Sequence, residues 1–344
     1  MTVDKPECRN EYISHMIQMP KIDSHAHLGL HCSGDLLYRM LGSVNMKWLS
    51  VCWGGTRWEK MRQQIKTAKK MHAAYPDRIA WATSFNLTNW SSPDWEAETT
   101  ALIADGFAGG AVAVKVWKEI GMSLKEPDGS FVMIDNPRFG PIFDYIQNQD
   151  KTLVAHIGEP KSCWLPLDSI KVESDRDYYS NHPAEHCYQK PEIPGYQRHL
   201  QAMDRVLGEH PDLRVVWCHL ASLESDTAQL AARFERYPNL AVDLAARINH
   251  LQIQGRNKIR DFIIKYQDRI LYGTDIELHS SSRDGYEDEL RAARDIYISD
   301  LIYFSTEWEM EAPGAGETFR GLALPVAVLE KIFFKNTEKW YPGI

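Results

Sequence analysis

The segment Asp23-Ser24-His25-Ala26-His27 sets three candidate ligands at alternate positions near the start of the chain. Side chains two apart on an extended strand share a face, so Asp23, His25 and His27 are expected to project together. Two imidazoles on one face suit a shared divalent metal; a hydrogen-bonded histidine pair at a strand end is the plainer alternative. Three more polar residues close apolar runs: His156 ends LVAH, His219 ends VVWCH and Asp275 ends LYGTD. Taken singly, such a histidine is usually structural, and an Asp after Gly-Thr is usually a helix cap. Taken together they form one candidate metal-dependent centre, provided the fold brings the strand ends to one place.

Eight short apolar or β-branched runs supply those strands: KIDSHAHL, NMKWLSVCW, RIAWATSF, GAVAVKVW, KTLVAHIG, LRVVWCHL, NLAVDLAA and RILYGTDI. Helical patterns lie between them. Trp58, Met61, Ile65, Ala68 and His72 fall on one helix face, and 197–209, 222–236, 256–266, 286–303 and 323–335 read similarly. Strand alternating with helix calls for a parallel sheet, because parallel neighbours need a crossover. Eight units without a break in composition predict an α/β fold, a closed (β/α)8 TIM barrel with 1–344 as a single domain. All strands of a barrel run the same way, so their carboxyl ends converge on the rim where such folds gather their chemistry. The longest departure from the rhythm, about 160–196 after strand five, is expected to be an inserted, lid-like loop over that rim. Its Trp164, Tyr178, Tyr179, Tyr188 and Tyr196 could cover the site. A smaller insert at 118–137 predicts a turn at Asp128-Gly129.

On the fourth run, Val112, Val114 and Val116 are expected to face the helices, and Ala113, Lys115 and Trp117 the barrel interior. An inward lysine is costly unless paired or reacting. Lys115 could hold an anionic substrate or pair with Asp23 or Asp243. Trp117, Arg247 and His279 follow strand ends and could line a pocket. Arg247 could fork onto a substrate carboxylate, with a surface or capping role as the alternative.

The 344 residues carry 39 basic and 47 acidic side chains, a formal charge of -8, and 44% hydrophobic residues. That balance excludes a disordered chain and argues against a nucleic-acid binder, which would show a basic face. No run approaches the roughly 18 apolar residues of a membrane span, and the first residues lack a secretory h-region. Six cysteines without C-x-x-C spacing read as reduced thiols of a cytoplasmic protein. The expected partner is a small-molecule substrate, with neither nucleic acid nor membrane. Eleven Trp and 15 Tyr leave room for a homo-oligomeric interface.

The pieces IDSHAHL, GAVAVKVWK, LVAHIGEP, PDLRVVWCHLAS, ILYGTDIE and NTEKWYPG span nearly the whole chain. In that order they resemble the amidohydrolase superfamily, in its amidohydrolase-related branch (amidohydrolase 2). That branch includes lactone hydrolases and decarboxylases of aromatic and unsaturated acids. The resemblance implies the same barrel and one divalent metal on His25, His27, His156 and Asp275, with His219 beside it. Three imidazoles and a carboxylate suit Zn(II), and Mn(II) is compatible. A site left open to one water draws that water's pKa from 15.7 toward about 7. Asp275 is then expected to take the water's proton and pass it to the leaving group, while His219 positions the water or donates to the substrate carbonyl. In other branches the lysine corresponding to Lys115 is carboxylated and bridges two metals, whereas this branch is mostly mononuclear.

The main functional expectation is a hydrolase of a small ester, lactone or amide bearing a carboxylate. Some decarboxylases of the family carry Glu where Asp23 stands and lose the His-x-His spacing, so the intact motif favours hydrolysis. Non-oxidative decarboxylation of a small unsaturated or aromatic acid is the alternative. A non-catalytic metal-binding protein is a third reading, against which stands the presence of the non-ligand His219.

Overall fold

Each of the eight apolar runs folds into a strand, and the strands close on themselves. The computed structural model describes residues 6–52, 55–311 and 315–344. Its main strands are β1 (Lys21–His27), β2 (Met46–Val51), β3 (Ile79–Thr83), β4 (Ala113–Val116), β5 (Thr152–Ala155), β6 (Arg214–Trp217) and β7 (Leu240–Asp243). The eighth run is divided into β8 (Ile270–Leu271) and β9 (Ile276–Glu277). Neighbours follow the order β8-β7-β6-β5-β4-β3-β2-β1-β9, all parallel. The first half of the last run therefore pairs with β7 and the second half with β1, which completes a TIM barrel. Between the halves, the Ser24 amide donates to Tyr272 O and the Asp275 amide to His25 O, so the seam stays bonded where it leaves regular pairing.

Alternation along the strands sorts side chains into two apolar layers. Leu49, Val51, Ala80, Ala82, Val154, Val216, Ala241 and Leu271 fill the barrel interior. Trp48, Trp81, Val114, Val116 and Trp217 face the helices. Val112 clusters with the interior residues instead of the helix layer expected for it, because it precedes the first paired residue of β4. The Thr152 hydroxyl, at the start of β5, donates to Trp340 O, and Trp340 and Tyr341 pack into the interior cluster. The C-terminal segment thus stoppers the amino end of the barrel and leaves the carboxyl end open.

Local signals explain most helix limits. The helix Thr227–Arg236 starts at Asp226, whose carboxylate accepts from the Gln229 amide. It begins later than its periodicity suggests, because His219 through Ser222 are left-handed, with φ of 59°, 54°, 58° and 56°. The turn at Asp128-Gly129 forms as expected: Gly129 takes φ +88° and the Glu126 amide donates to Ser130 O. The stretch after β5 holds short 3-10 turns and the helix Glu173–Asn181. A first helix, Pro6–Ile17, has no counterpart in the sequence pattern. Among the described residues, no helix is long and apolar enough to cross a membrane.

Candidate metal centre and active site

The carboxyl ends of β1, β6, β7 and the eighth strand bring five polar side chains together. His25 Nε2 lies 3.3 Å and His27 Nε2 3.0 Å from Asp275 Oδ1. His25, His27 and Asp275 form one group whose ligand atoms lie within 4.8 Å of one another, and His25, His219 and Asp243 form a second. Asp275 reaches the histidines from a left-handed backbone, φ +68°. With His219–Ser222, five non-glycine residues of the rim occupy a conformation that costs each about 1–3 kcal/mol, the strain typical of functional sites.

The partners of each ring decide where its proton sits. His27 Nδ1 lies 2.8 Å from the Val51 carbonyl, which can only accept, so Nδ1 carries the hydrogen and Nε2 the lone pair. His25 Nδ1 lies 2.9 Å from Asp243 Oδ2, and that carboxyl is held low: its burial is outweighed by His25, His219 and Lys115 around it. His25 therefore also turns a lone pair toward Asp275. Burial opposes the charge of Asp275 too, but His25, His219 and His27 more than offset it and keep the carboxyl well below its usual range. Two imidazole nitrogens and a carboxylate oxygen thus converge, with the Lys115 ammonium nitrogen 3.2 Å from His25 Nε2. Ligands about 2.0–2.1 Å from a tetrahedral Zn(II) stand about 3.3 Å apart, close to the separations here. The donor set fits a divalent cation, with its outer atoms bonded as metal-ligating histidines require.

His219 and His156 complete the wall. His219 Nδ1 donates to the Ala245 carbonyl at 2.9 Å, leaving Nε2 to accept from His156 Nδ1 at 3.2 Å. His156 Nε2 is then a buried lone pair without a hydrogen-bond partner. His156 belongs to neither tight group; its ring packs edge-on against His219 with centroids 4.2 Å apart. Burial, reinforced by neighbouring Lys115 for His156 and by His156 for His219, pushes both imidazoles far below their usual range, so both are neutral.

A cavity of about 460 Å³ opens over these groups, lined by His25, His27, Lys115, Trp117, His156 and Asp275. Lys115 and Trp117 face it as expected. Lys115 pairs with neither Asp23 nor Asp243. Its Nζ lies 3.2 Å from His25 Nε2 and 3.0 Å from Cys218 Sγ.

Three expected placements differ. Asp23 does not share the face of the histidines. A register shift between Asp23 and Ala26 breaks the alternation, and Asp23 accepts from Thr274, Tyr297 and the His25 amide behind the strand. Arg247 is not among the residues lining the cavity: its Nη1 donates to Ala246 O, and its Nε lies 3.9 Å from Glu224 Oε2. His279 also stands outside the lining, 3.2 Å from Glu277. Of the aromatic residues in the insert, Tyr178 reaches the cavity, while Trp164 packs on Tyr196 and His199, and Tyr179 and Tyr188 on His186.

Sequence reasoning missed Arg57, Lys60, Lys118 and Glu277 in the lining. Arg57 and Lys60 sit where the helix Trp58–Ala74 begins, a loop position with no periodic signal. Lys118 is paired with Glu159. Asp243 was visible as one more acid ending an apolar strand, LAVD.

Comparison with known proteins agrees with this architecture. A sequence profile of the amidohydrolase family matches residues 22–343. No curated protein sequence matches the chain. Among solved structures, a 2,6-dihydroxybenzoate decarboxylase complexed with 2,6-dihydroxybenzoate aligns at 17% identity and TM-score 0.53, over 94% of this chain and 99% of its own. A dihydroxybenzoic acid decarboxylase from Polaromonas sp. JS666, with bound manganese and 2-nitroresorcinol, aligns at 14% identity and TM-score 0.53, over 94% and 96%. An amidohydrolase from Burkholderia multivorans with bound zinc aligns at 13% identity and TM-score 0.50, over 94% and 99%. At these identities the likeness is one of fold.

Proposed function

The chain belongs to the amidohydrolase family, whose members are metal-dependent enzymes, and from that footing we propose that it hydrolyses a small ester, lactone or amide carrying a carboxylate. One zinc ion, replaceable by manganese, is held by His25, His27, Asp275 and the unpartnered Nε2 of His156. When bound, such an ion supplies Lewis acidity and acidifies a coordinated water to a pKa of about 7.

The observation that carries the reading is the position of Asp275, which lines the cavity with its carboxylate 3.3 and 3.0 Å from His25 and His27 Nε2. Asp275 offers a carboxylate to the cavity, and His219, with Nδ1 on Ala245 and Nε2 on His156, offers no donor. Acceptors suit the removal of a proton from attacking water. Asp275 takes that proton and returns it to the leaving group, and His219, bonded through Nε2 to His156 Nδ1, fixes the tautomer of that ring beside the cavity. Because His219 accepts here, the hydrogen bond to a substrate carbonyl expected from the sequence is available only after it gains a proton. Lys115, Arg57 and Lys60 give the cavity the positive charge to hold a carboxylate, and Trp117 and Tyr178 offer flat apolar walls.

Decarboxylation is the second reading, favoured by the same cationic lining and by the substrates named for two structural neighbours. It needs a proton donor to the carbon that loses CO2, and the tautomers argued above leave His219 without one. The test is to assay the zinc- or manganese-loaded protein on lactones, esters and aromatic carboxylic acids, following acid release beside CO2 release. Acid release alone supports hydrolysis, CO2 release alone replaces it with decarboxylation, and silence on both favours a non-catalytic metal protein. Cys32, Cys52, Cys163, Cys187 and Cys218 are free thiols, which supports a cytoplasmic setting.

A further inference from the structure

A second cavity of about 510 Å³ lies behind the eighth strand, on the far side from the metal centre. Gly273 and Thr274 form its floor, the helix Ile248–Gln252 one wall, and the helix Arg283–Ser305 the other. Its chemistry is the reverse of the first cavity. Asp295 and Asp300 line it, and none of its described lining residues is basic.

Two of its polar side chains are buried with bonding capacity unused. Asp300 is 8% exposed; its Oδ2 accepts from the Tyr272 hydroxyl at 2.7 Å, and no hydrogen bond to Oδ1 occurs among the described residues. Burial without a counter-charge pushes this carboxyl up to about 7. Gln252, on the opposite wall, is 7% exposed, and its carboxamide makes no hydrogen bond among the described residues. Both groups line the cavity, where a ligand of complementary charge can bond to them. Ile248 and the half-exposed Ile296 add apolar surface between the two.

We propose that this cavity binds a small organic ammonium ion, its charged head between Asp300 and the Gln252 carbonyl and its apolar body against Ile248 and Ile296. The site is independent of the reaction assigned to the metal centre, but shares a strand with it. A Cβ on Gly273 would lie 3.1 Å from His25 Cβ, so the backbone separating ligand from metal-binding histidine is one residue thick. Next along that strand, Thr274 holds Asp23 and Asp275 faces the metal centre. A ligand bearing on Gly273 and Thr274 therefore braces the metal-binding segment from behind, the position of an effector.

The test is calorimetric titration of the full, metal-loaded chain with benzylammonium chloride, with benzyl alcohol as the neutral isostere. The expected result is saturable one-to-one binding of the cation, weakened about 10–100-fold by Asp300→Asn and by Gln252→Leu. Arg57→Ala, in the other cavity, should leave it unchanged. Since Asp300→Asn also alters the contact with Tyr272, Ile296→Trp provides a check from the surface: it fills the cavity and should abolish binding without lowering the Tm. Absent binding, equal binding of benzyl alcohol, or unchanged affinity in all three cavity variants would overturn the proposal.

Discussion

Asp243 and His25 are joined by a 2.9 Å hydrogen bond, and the other Asp243 oxygen accepts the backbone amides of His219 and Ala245 at 2.7 and 3.2 Å. One buried carboxylate therefore orients a ring of the candidate metal centre and accepts the backbone amide of His219, in the left-handed turn that follows β6. Replacing it by Asn keeps the volume but removes the charge that holds the His25 hydrogen on Nδ1. We expect Asp243→Asn to weaken metal binding about 10–100-fold, read by competition with a chromogenic chelator, with activity recovered at excess metal.

Asp275 has a different part, since it touches both the metal-binding histidines and the cavity. Asp275→Asn should retain measurable metal, because the imidazoles remain, yet lose turnover by several orders of magnitude. Full activity in that variant, at confirmed metal occupancy, would remove the proton-shuttle role.

Arg57 has no carboxylate partner among the described residues and lines the cavity from the start of the helix that follows β2. A charge-assisted bond to the carboxylate of a substrate contributes about 1.5–3 kcal/mol. Arg57→Ala should accordingly raise KM about 10–100-fold for an anionic substrate and leave kcat nearly unchanged. An equal effect on the uncharged ester of the same compound would refute the pairing.

The buried Asp300 couples folding to pH. Burial disfavours the charge and pushes its carboxyl up to about 7 in the folded chain, from an ordinary value of 3.8. The folded state thus holds a proton that the unfolded state has released, so its stability falls as pH rises between these values and the loss is complete above them. The full difference is on the order of 4 kcal/mol. In thermal melts, the Tm of Asp300→Asn relative to the unsubstituted chain should climb from pH 4 to pH 8. A constant offset would show that Asp300 does not titrate in this range.

Removing the metal should also register in stability. Without a cation, the Nε2 atoms of His25 and His27 and the Asp275 carboxylate, 3.3 and 3.0 Å apart, lose the ion proposed to join them. Chelation is expected to lower the Tm, and one equivalent of zinc per chain to restore it; restoration only at two equivalents would indicate a binuclear centre.

The barrel and most of its mouth are legible in the linear chain because they rest on local rules. Strand length, period-two burial and a polar residue at the strand end place His25, His27, His156, His219 and Asp275 without any tertiary information. Asp243 obeys the same rule at the end of LAVD, and reading it only as a counter-ion for Lys115 undervalued it. Asp23 shows where the rule fails. Strict alternation aims it with the histidines, but the bulge before Ala26 turns it toward Thr274 and Tyr297, residues about 250 positions away.

What the amino-acid order determined by itself is the set of donors and the fold that gathers them, since hydrophobic periodicity and side-chain chemistry are properties of neighbours along the chain. Only the tertiary structure decided the rest: which atom each ring nitrogen faces, that Lys115 leans on His25 and Cys218, that Arg57 and not Arg247 lines the cavity, and that a second, acidic cavity backs the strand of Asp275. Those outcomes depend on contacts between distant segments and on loops whose paths follow no period, so they exist only once the barrel has closed.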